Sequence, residues 1–304
     1  MILGAAVLAL IQQPVGAATV ADVLAAIDPA TGAAKDTTTV FSLDNVVSAR
    51  LTLPDGKVLA FLQPVGHPGV AVVASAAEAA KFIPRNEVTL SGSLAAGPFG
   101  WAVLAVKDGS VTVAGDNKSF GAPTPATAAL FADASSLAGK FVKLPDVTFE
   151  GDKLDVKAGV KVKDAAGAEV SLLVSPAADG RAVPAGVQIV YGVPVKVDGA
   201  WKLLAARFLP ANGKATLALA EKYTCTTCHN PDAKVVGPAY RDVAQKYRDD
   251  NDAVTKFIAQ MEAGGMGKWG QVPMPAFQGK VPAADEKQIA DWIWGYRWDW
   301  ILAE

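Results

Sequence analysis

The chain has 304 residues, 51% of them hydrophobic and 19% charged, with a formal net charge of −2. Disordered chains have the opposite balance, and nothing here matches the basic excess of a nucleic-acid binder. The length suits two or three domains, and the 28 Gly and 19 Pro imply many turns between short strands.

In chain order, the first segment is an apolar run from Met1 to Ile11. It is too short for the roughly 20 residues of a bilayer-spanning helix. It fits the hydrophobic region of a secretory signal, although no Lys or Arg precedes it. Val15-Gly16-Ala17 or Gly16-Ala17-Ala18 would serve as the small-residue cleavage site. Residues 1–18 are read as a signal and the protein as periplasmic or otherwise exported. No Cys lies near this site, so no lipid-modified N-terminal Cys is expected.

Residues 19–211 read as all-β. "DNVVSARLTLPDGKVLAFLQP" alternates around a Pro-Asp-Gly turn, a hairpin signal. "NEVTLSGSLAAGPFGWAVLAV" and "AGVQIVYGVPVKVDGAWKLLAARF" also read strand, turn, strand. These two align without gaps at an offset of 100, pairing Gly92 with Gly192, Trp101 with Trp201 and Leu104-Ala105 with Leu204-Ala205. "LPDGKVLAFLQP" aligns with "DAAGAEVSLLVSP" at a slightly larger offset. The pattern predicts a duplicated module, residues 19–120 and 121–211. In strand count and turn placement each copy resembles a five-stranded barrel of the OB type, so the fold expected here is two OB-like barrels in tandem. Such barrels often bind oligonucleotides or sugars. The near-balanced charge and the apolar settings of Trp101 and Trp201 instead predict core tryptophans and a structural or docking role. Two apolar segments, "VADVLAAID" and "TAALFADASSLAG", are predicted helical. His67 is expected to be an ordinary loop histidine.

The segment "YTCTTCHNPDAK" holds both cysteines of the chain, Cys225 and Cys228, and one of its two histidines, His229. Export makes a disulfide one reading. Thiol-disulfide oxidoreductases place C-x-x-C after a strand, whereas "KATLALAEKY" scans as a helix with Leu217, Leu219, Ala220 and Tyr223 on one side. A structural zinc needs about four ligands, and two Cys with one adjacent His fall short. The remaining reading is covalent attachment of one haem c, with Cys225 and Cys228 adding to the two vinyl groups and His229 as the proximal iron ligand. Downstream, Met274 lies between Pro273 and Pro275, in a loop that cannot be helical. It is the expected distal ligand. Met261 belongs to the apolar side of a helix, and Met266, flanked by glycines, is the weaker rival.

From about Asn212 to Glu304 the chain resembles the class I cytochrome c family in its small bacterial periplasmic form. The matching pieces are a leading helix, Cys225-Thr226-Thr227-Cys228-His229, Gly237-Pro238, a middle helix, Trp269-Gly270 with Pro273-Met274-Pro275, and a final helix. Met274 lies 45 residues past His229, a spacing typical of the family. The resemblance implies an all-α domain at residues 212–304 in which the Pro238 carbonyl accepts from His229 and Trp269 sits near a haem propionate. Some relatives carry an Asn that bonds the Met sulfur, where this chain has Ala276-Phe277. His/Met ligation leaves no coordination site for a substrate. The expected function is therefore single-electron transfer, by a carrier or by the haem c subunit of a larger oxidoreductase or respiratory complex, and not catalysis by this chain. Donor and acceptor proteins are the expected partners, and no nucleic acid.

The chain closes on "QIADWIWGYRWDWILAE". Ile289, Trp292, Ile293 and Tyr296 form one helical stripe, enough to pack on a cytochrome core. Trp294, Trp298 and Ile301 form a second, with Trp300 beside it. A helix apolar on two faces needs cover on both. The β-units, a partner subunit or a membrane surface could provide it, and docking onto a redox complex is the expectation.

Overall fold

The computed structural model describes residues 18–116, 118–119, 121–250 and 252–298. The signal-like run through position 17, and Trp300 and Ile301 at the other end, lie outside the described residues. No helix among the described residues is long and apolar enough to cross a membrane.

The first β-unit begins with helix α1 (Val20–Ala25), started by a capping box between Thr19 and Asp22. Strands β1 (Val40–Thr52), β2 (Val58–Gln63), β3 (Val70–Ala74), β4 (Glu87–Ala96), β5 (Ala102–Val106) and β6 (Thr112–Gly115) follow. β1, β2 and β3 form an antiparallel meander; β3 runs parallel to β5, and β4 pairs with both β5 and β1. The ring β1-β2-β3-β5-β4 therefore closes on itself, and β6 extends it along β4. Val20 and Val23 of α1 pack into the enclosed core beside Leu43, Leu62 and Leu90.

The second unit repeats the plan with β7 (Thr124–Pro125), β8 (Val142–Phe149), β9 (Val160–Lys163), β10 (Glu169–Leu173), β11 (Gln188–Val197) and β12 (Ala200–Pro210). Here the ring is β8-β9-β10-β12-β11, again with its third and fifth strands parallel. The segment expected as a helix at "TAALFADASSLAG" forms two 3-10 turns, Ala128–Ala132 and Ser135–Leu137. Phe131 and Leu137 from these turns enter the core.

The repeat at an offset of 100 holds for the last two ring strands and has a backbone reason. Gly92 lies opposite Phe41 of β1 and Val106 of β5, where β4 bridges its two neighbours. A Cβ there would come 2.3 Å from the Ala105 carbonyl oxygen. Gly192 occupies the same place on β11, where a Cβ would come 2.1 Å from the Leu204 oxygen. Only glycine permits this approach. The other alignment is overturned. "DAAGAEVSLL" turns from β9 into β10, which pairs with β12 as β3 pairs with β5, so its counterpart is the turn at 64–69 and not Pro54-Asp55-Gly56.

β2 is buried along its whole length. Val58, Ala60 and Leu62 face the core of the first unit. Leu59 and Phe61 face outward, into a second apolar cluster that also holds Ala49 and Leu51 of β1 and Val193, Val195 and Val197 of β11. A strand buried on both faces has no polar alternation to keep. The two units thus share an apolar seam. Trp101 and Trp201, expected in the cores, are only half-buried. Trp101 belongs to the seam, and its Nε1–H donates to the Lys196 carbonyl at 2.9 Å.

The helical unit follows β12 almost at once: α2 (Gly213–Lys222), α3 (Tyr240–Lys246), α4 (Ala253–Ala263) and α5 (Ala283–Gly295). Ile289, Trp292, Ile293 and Tyr296, the first stripe of the final helix, are all buried in its core with Tyr240, Phe257 and Met261. α2 approaches α5 through Gly213, beside the Trp292 indole. Tyr223 Oη donates to Asp285 at 2.7 Å, and Gln288 donates to Thr216 Oγ1 at 2.9 Å.

Of the second stripe only Trp294 and Trp298 are described, and Trp298 is covered from within the chain, which corrects the expectation that it docks onto a partner. Trp298 is 2% exposed and sits in the core of the second β-unit, 5.2 Å from the Phe208 ring. The Arg297 guanidinium lies over Trp294 and Trp298, at 3.6 and 4.8 Å. The cut near residue 211 therefore divides the chain but not its packing. Trp298→Ala is expected to destabilise the protein by about 3–5 kcal/mol, as for large buried aromatics. Equilibrium denaturation followed by far-UV circular dichroism checks this; a variant within about 1 kcal/mol of wild type contradicts it.

Candidate haem site

Just after α2, Thr224, with a φ of 63°, turns the chain into a 3-10 turn, Cys225–Thr227. The turn places both thiols on one side, and the His229 N–H donates to the Cys225 carbonyl at 3.0 Å. Both thiols are half-buried and free of disulfides, and burial pushes the Cys225 thiol pKa up.

His229 is held from three sides. Its Nδ1 lies 2.8 Å from the Pro238 carbonyl oxygen. A carbonyl can only accept, so Nδ1 carries the proton and the Nε2 lone pair is left for another partner. The ring rests on Gly237, where a Cβ would come 2.3 Å from Cε1. Tyr240 stacks against it at 5.5 Å and 16°. The Tyr240 hydroxyl is buried without a hydrogen-bond partner, and burial raises its pKa.

Across the helical unit, Met274 is fixed by its backbone. It exchanges two hydrogen bonds with Gly265, at 2.9 and 2.8 Å. Gly264, with φ of 64°, passes so close that a Cβ would lie 2.5 Å from the Met274 oxygen. The Met274 side chain is part-buried on the helical core. Met261 is a core residue, and Met266 is 61% exposed. Trp269 is 39% exposed, with Lys246 Nζ 4.5 Å from its ring centre.

Cys225, Cys228, His229, Pro238, Trp269 and Met274 all line one cavity of about 520 Å³. Its walls are mainly apolar, with Phe257, Ile289 and Ile293 among them. The size lies in the range of cofactor sites. Two thiols, an imidazole lone pair and a thioether on one apolar wall set suit a flat, apolar, iron-bearing group, and the Gly237 cradle keeps the imidazole upright for it. His67 lies exposed in the loop before β3, away from this cavity. Sequence reasoning missed Tyr240 and the Gly264-Gly265 brace. The paired glycines directly after the α4 pattern were a usable signal for the brace, whereas Tyr240 reads as one more apolar helix position.

Residues 211–295 match the Cytochrome c family model. Through this part the chain belongs to the class I cytochrome c family, electron-transfer proteins with one covalently attached haem c. Among its relatives, cytochrome c-551 of Allochromatium vinosum is 54% identical over 81 residues, covering 27% of this chain and 85% of that protein. Cytochrome c-552 of Nitrosomonas europaea is 46% identical over 80 residues, covering 26% and 77%. A crystal structure of the Nitrosomonas europaea cytochrome c552 aligns at 45% identity over 26% of this chain and 98% of that one, with a TM-score of 0.25.

Gly237→Ala is expected to push the His229 ring off Pro238 and to destabilise the protein by about 1–3 kcal/mol, the usual penalty for an orphaned buried polar group. Denaturant midpoints of the two proteins, compared at equal slope, measure it; equal midpoints would mean that the close approach at Gly237 relaxes freely.

Proposed function

We propose that this protein is an exported cytochrome in which Cys225 and Cys228 anchor a single haem c, His229 and Met274 are its axial ligands, and Trp269 stands near a propionate. The observation that carries this reading is that these residues line a single apolar cavity, with the His229 tautomer set by Pro238. The bound group supplies a one-electron iron couple. The chain's own residues do the rest. His229 presents Nε2 in a fixed orientation, because Gly237 and Tyr240 leave the ring little room to tilt. Met274 is held by the Gly265 pair of hydrogen bonds, so little rearrangement accompanies a change of charge. Apolar walls exclude water, which helps to set the potential. With His229 and Met274 both holding the iron, no position would be left for a substrate, as suits a carrier and not an enzyme.

We also read each closed β-ring as an OB-like barrel, with units at residues 19–120 and 121–211 and the cytochrome at 212–304. The outward face of β2 is buried in the cluster shared with the second unit, so it is not open to an oligonucleotide or sugar. This supports a structural role, in which the barrels hold the cytochrome and leave its haem cavity accessible to redox partners.

Acid–acetone extraction is expected to leave the haem on the polypeptide. Met274→Ala is expected to abolish the weak near-infrared charge-transfer band of Met-ligated ferric haem, while Met266→Ala keeps it. If the band persists in Met274→Ala and is lost in Met266→Ala, the ligand assignment is wrong.

A further inference from the structure

His229 and Pro238, whose hydrogen bond orients the proximal ring, stand at the two ends of one loop. Those ends are tied to each other. The Val236 and Gly237 N–H groups donate to the Cys228 carbonyl at 3.2 and 2.8 Å, and His229 pairs with Lys234 as an isolated bridge. The tip of the loop, 230–233, is tied forward to α3. The Tyr240 and Arg241 N–H groups donate to the Asn230 and Pro231 carbonyls, each at 3.1 Å. A shift of the tip therefore shifts the start of α3, and with it the Tyr240 ring that stacks on His229.

The tip is also tied to the β-units. Asp232 Oδ1 lies 2.6 Å from the Arg85 guanidinium of the first unit and 3.9 Å from that of Arg207 on β12. Arg85 and Asp232 are both half-buried, so salt screens this pair less than an exposed one. Arg85 comes just before β4, in the left-handed region at φ 78°. Its N–H donates to the Val47 carbonyl at 2.7 Å, and its carbonyl accepts from the Lys118 N–H at 3.0 Å. Strained backbone that the surroundings maintain tends to mark a functional place. Here it aims a long cation from a closed β-ring at the loop beneath the haem cavity. Arg85 lies outside residues 211–295, so the matched segment cannot make this contact by itself. A stronger Nδ1–H···O bond makes an imidazole ligand more basic, which favours the ferric state and lowers the potential. We propose that Arg85 is a positioning residue for His229: by holding Asp232 it lets the first β-unit set the His229–Pro238 hydrogen bond, and through it the potential of the iron. This rests on His229 being the proximal ligand.

The test is spectroelectrochemistry of the haem-loaded full chain beside its Arg85→Gln and Asp232→Asn variants. Both variants are expected to keep the low-spin spectrum and to shift the potential upward. The expected size is about a threefold change in the ferrous-to-ferric ratio at a fixed ambient potential, which is about 28 mV at about 59 mV per tenfold. The sign separates position from charge. Loss of the Arg85 cation acting through space alone would lower the potential. An Arg85→Gln protein with an unchanged or lower potential therefore overturns the proposal. The second readout is exchange of the His229 Nδ1 proton with solvent, followed by NMR of the ferrous protein. It is expected to be about tenfold faster in both variants, and an unchanged rate in Asp232→Asn overturns the proposal even if Arg85→Gln fails to fold. A wild-type protein without a low-spin, His-ligated spectrum would instead overturn the ligand reading, and this one with it.

Discussion

Trp298 ties the two ends of the architecture together. It stands three residues beyond α5, the last helix of the cytochrome, yet its indole is part of the β-core beside Phe208. Fully burying a side chain of this size removes more apolar area from water than any other single residue can. Much follows from that placement. β12 must end next to α5, Leu209 must join the helical core, and Pro210 must lie against Gly295. The helical unit is therefore seated on the second β-unit by apolar packing. Ion pairs such as Arg181–Asp249 at 2.9 Å sit at the rim, where they add little.

The same rule, that each apolar face must find cover within the chain, organises the β-region. The outer faces of β1 and β2 share one apolar cluster with those of β11 and β12. This explains why the duplicated units remain adjacent, and why the strand that looks least amphipathic in sequence is the one at the seam. It also removes from solvent a face that barrels of this kind could otherwise use for ligands.

The haem site depends much less on the β-units. The parts proposed for it come from one short stretch of chain, and each is positioned locally: the thiols by a 3-10 turn, His229 by Gly237 and Pro238, Met274 by Gly265. Local positioning is what allows relatives such as cytochrome c-551 to match this part of the chain across 85% of their length while leaving its remainder unmatched. Electron transfer asks for a site that barely moves, and short-range constraints supply most of that stiffness.

By itself, the sequence determined the elements whose chemistry is local. Cys225, Cys228 and His229 are adjacent, Met274 is braced by prolines, and Gly92 and Gly192 mark the same corner in two repeats. Turn, cap and motif rules act over a few residues, so such features can be read directly. The first stripe of the last helix was equally legible, because periodicity alone identifies a buried face. What covers the second stripe was not, since Trp298 meets Phe208 across a span of 90 residues and nothing near either one announces the other. Trp101 illustrates the same limit, since it packs at the seam while Trp201 packs on the core of its own unit: an apolar strand context says that a face is covered but not by which core. The pairing of β10 with β12, the seam between the units and the junction of Arg85, Arg207 and Asp232 were decided only by tertiary structure, because each joins residues that the chain keeps far apart and that packing alone brings together.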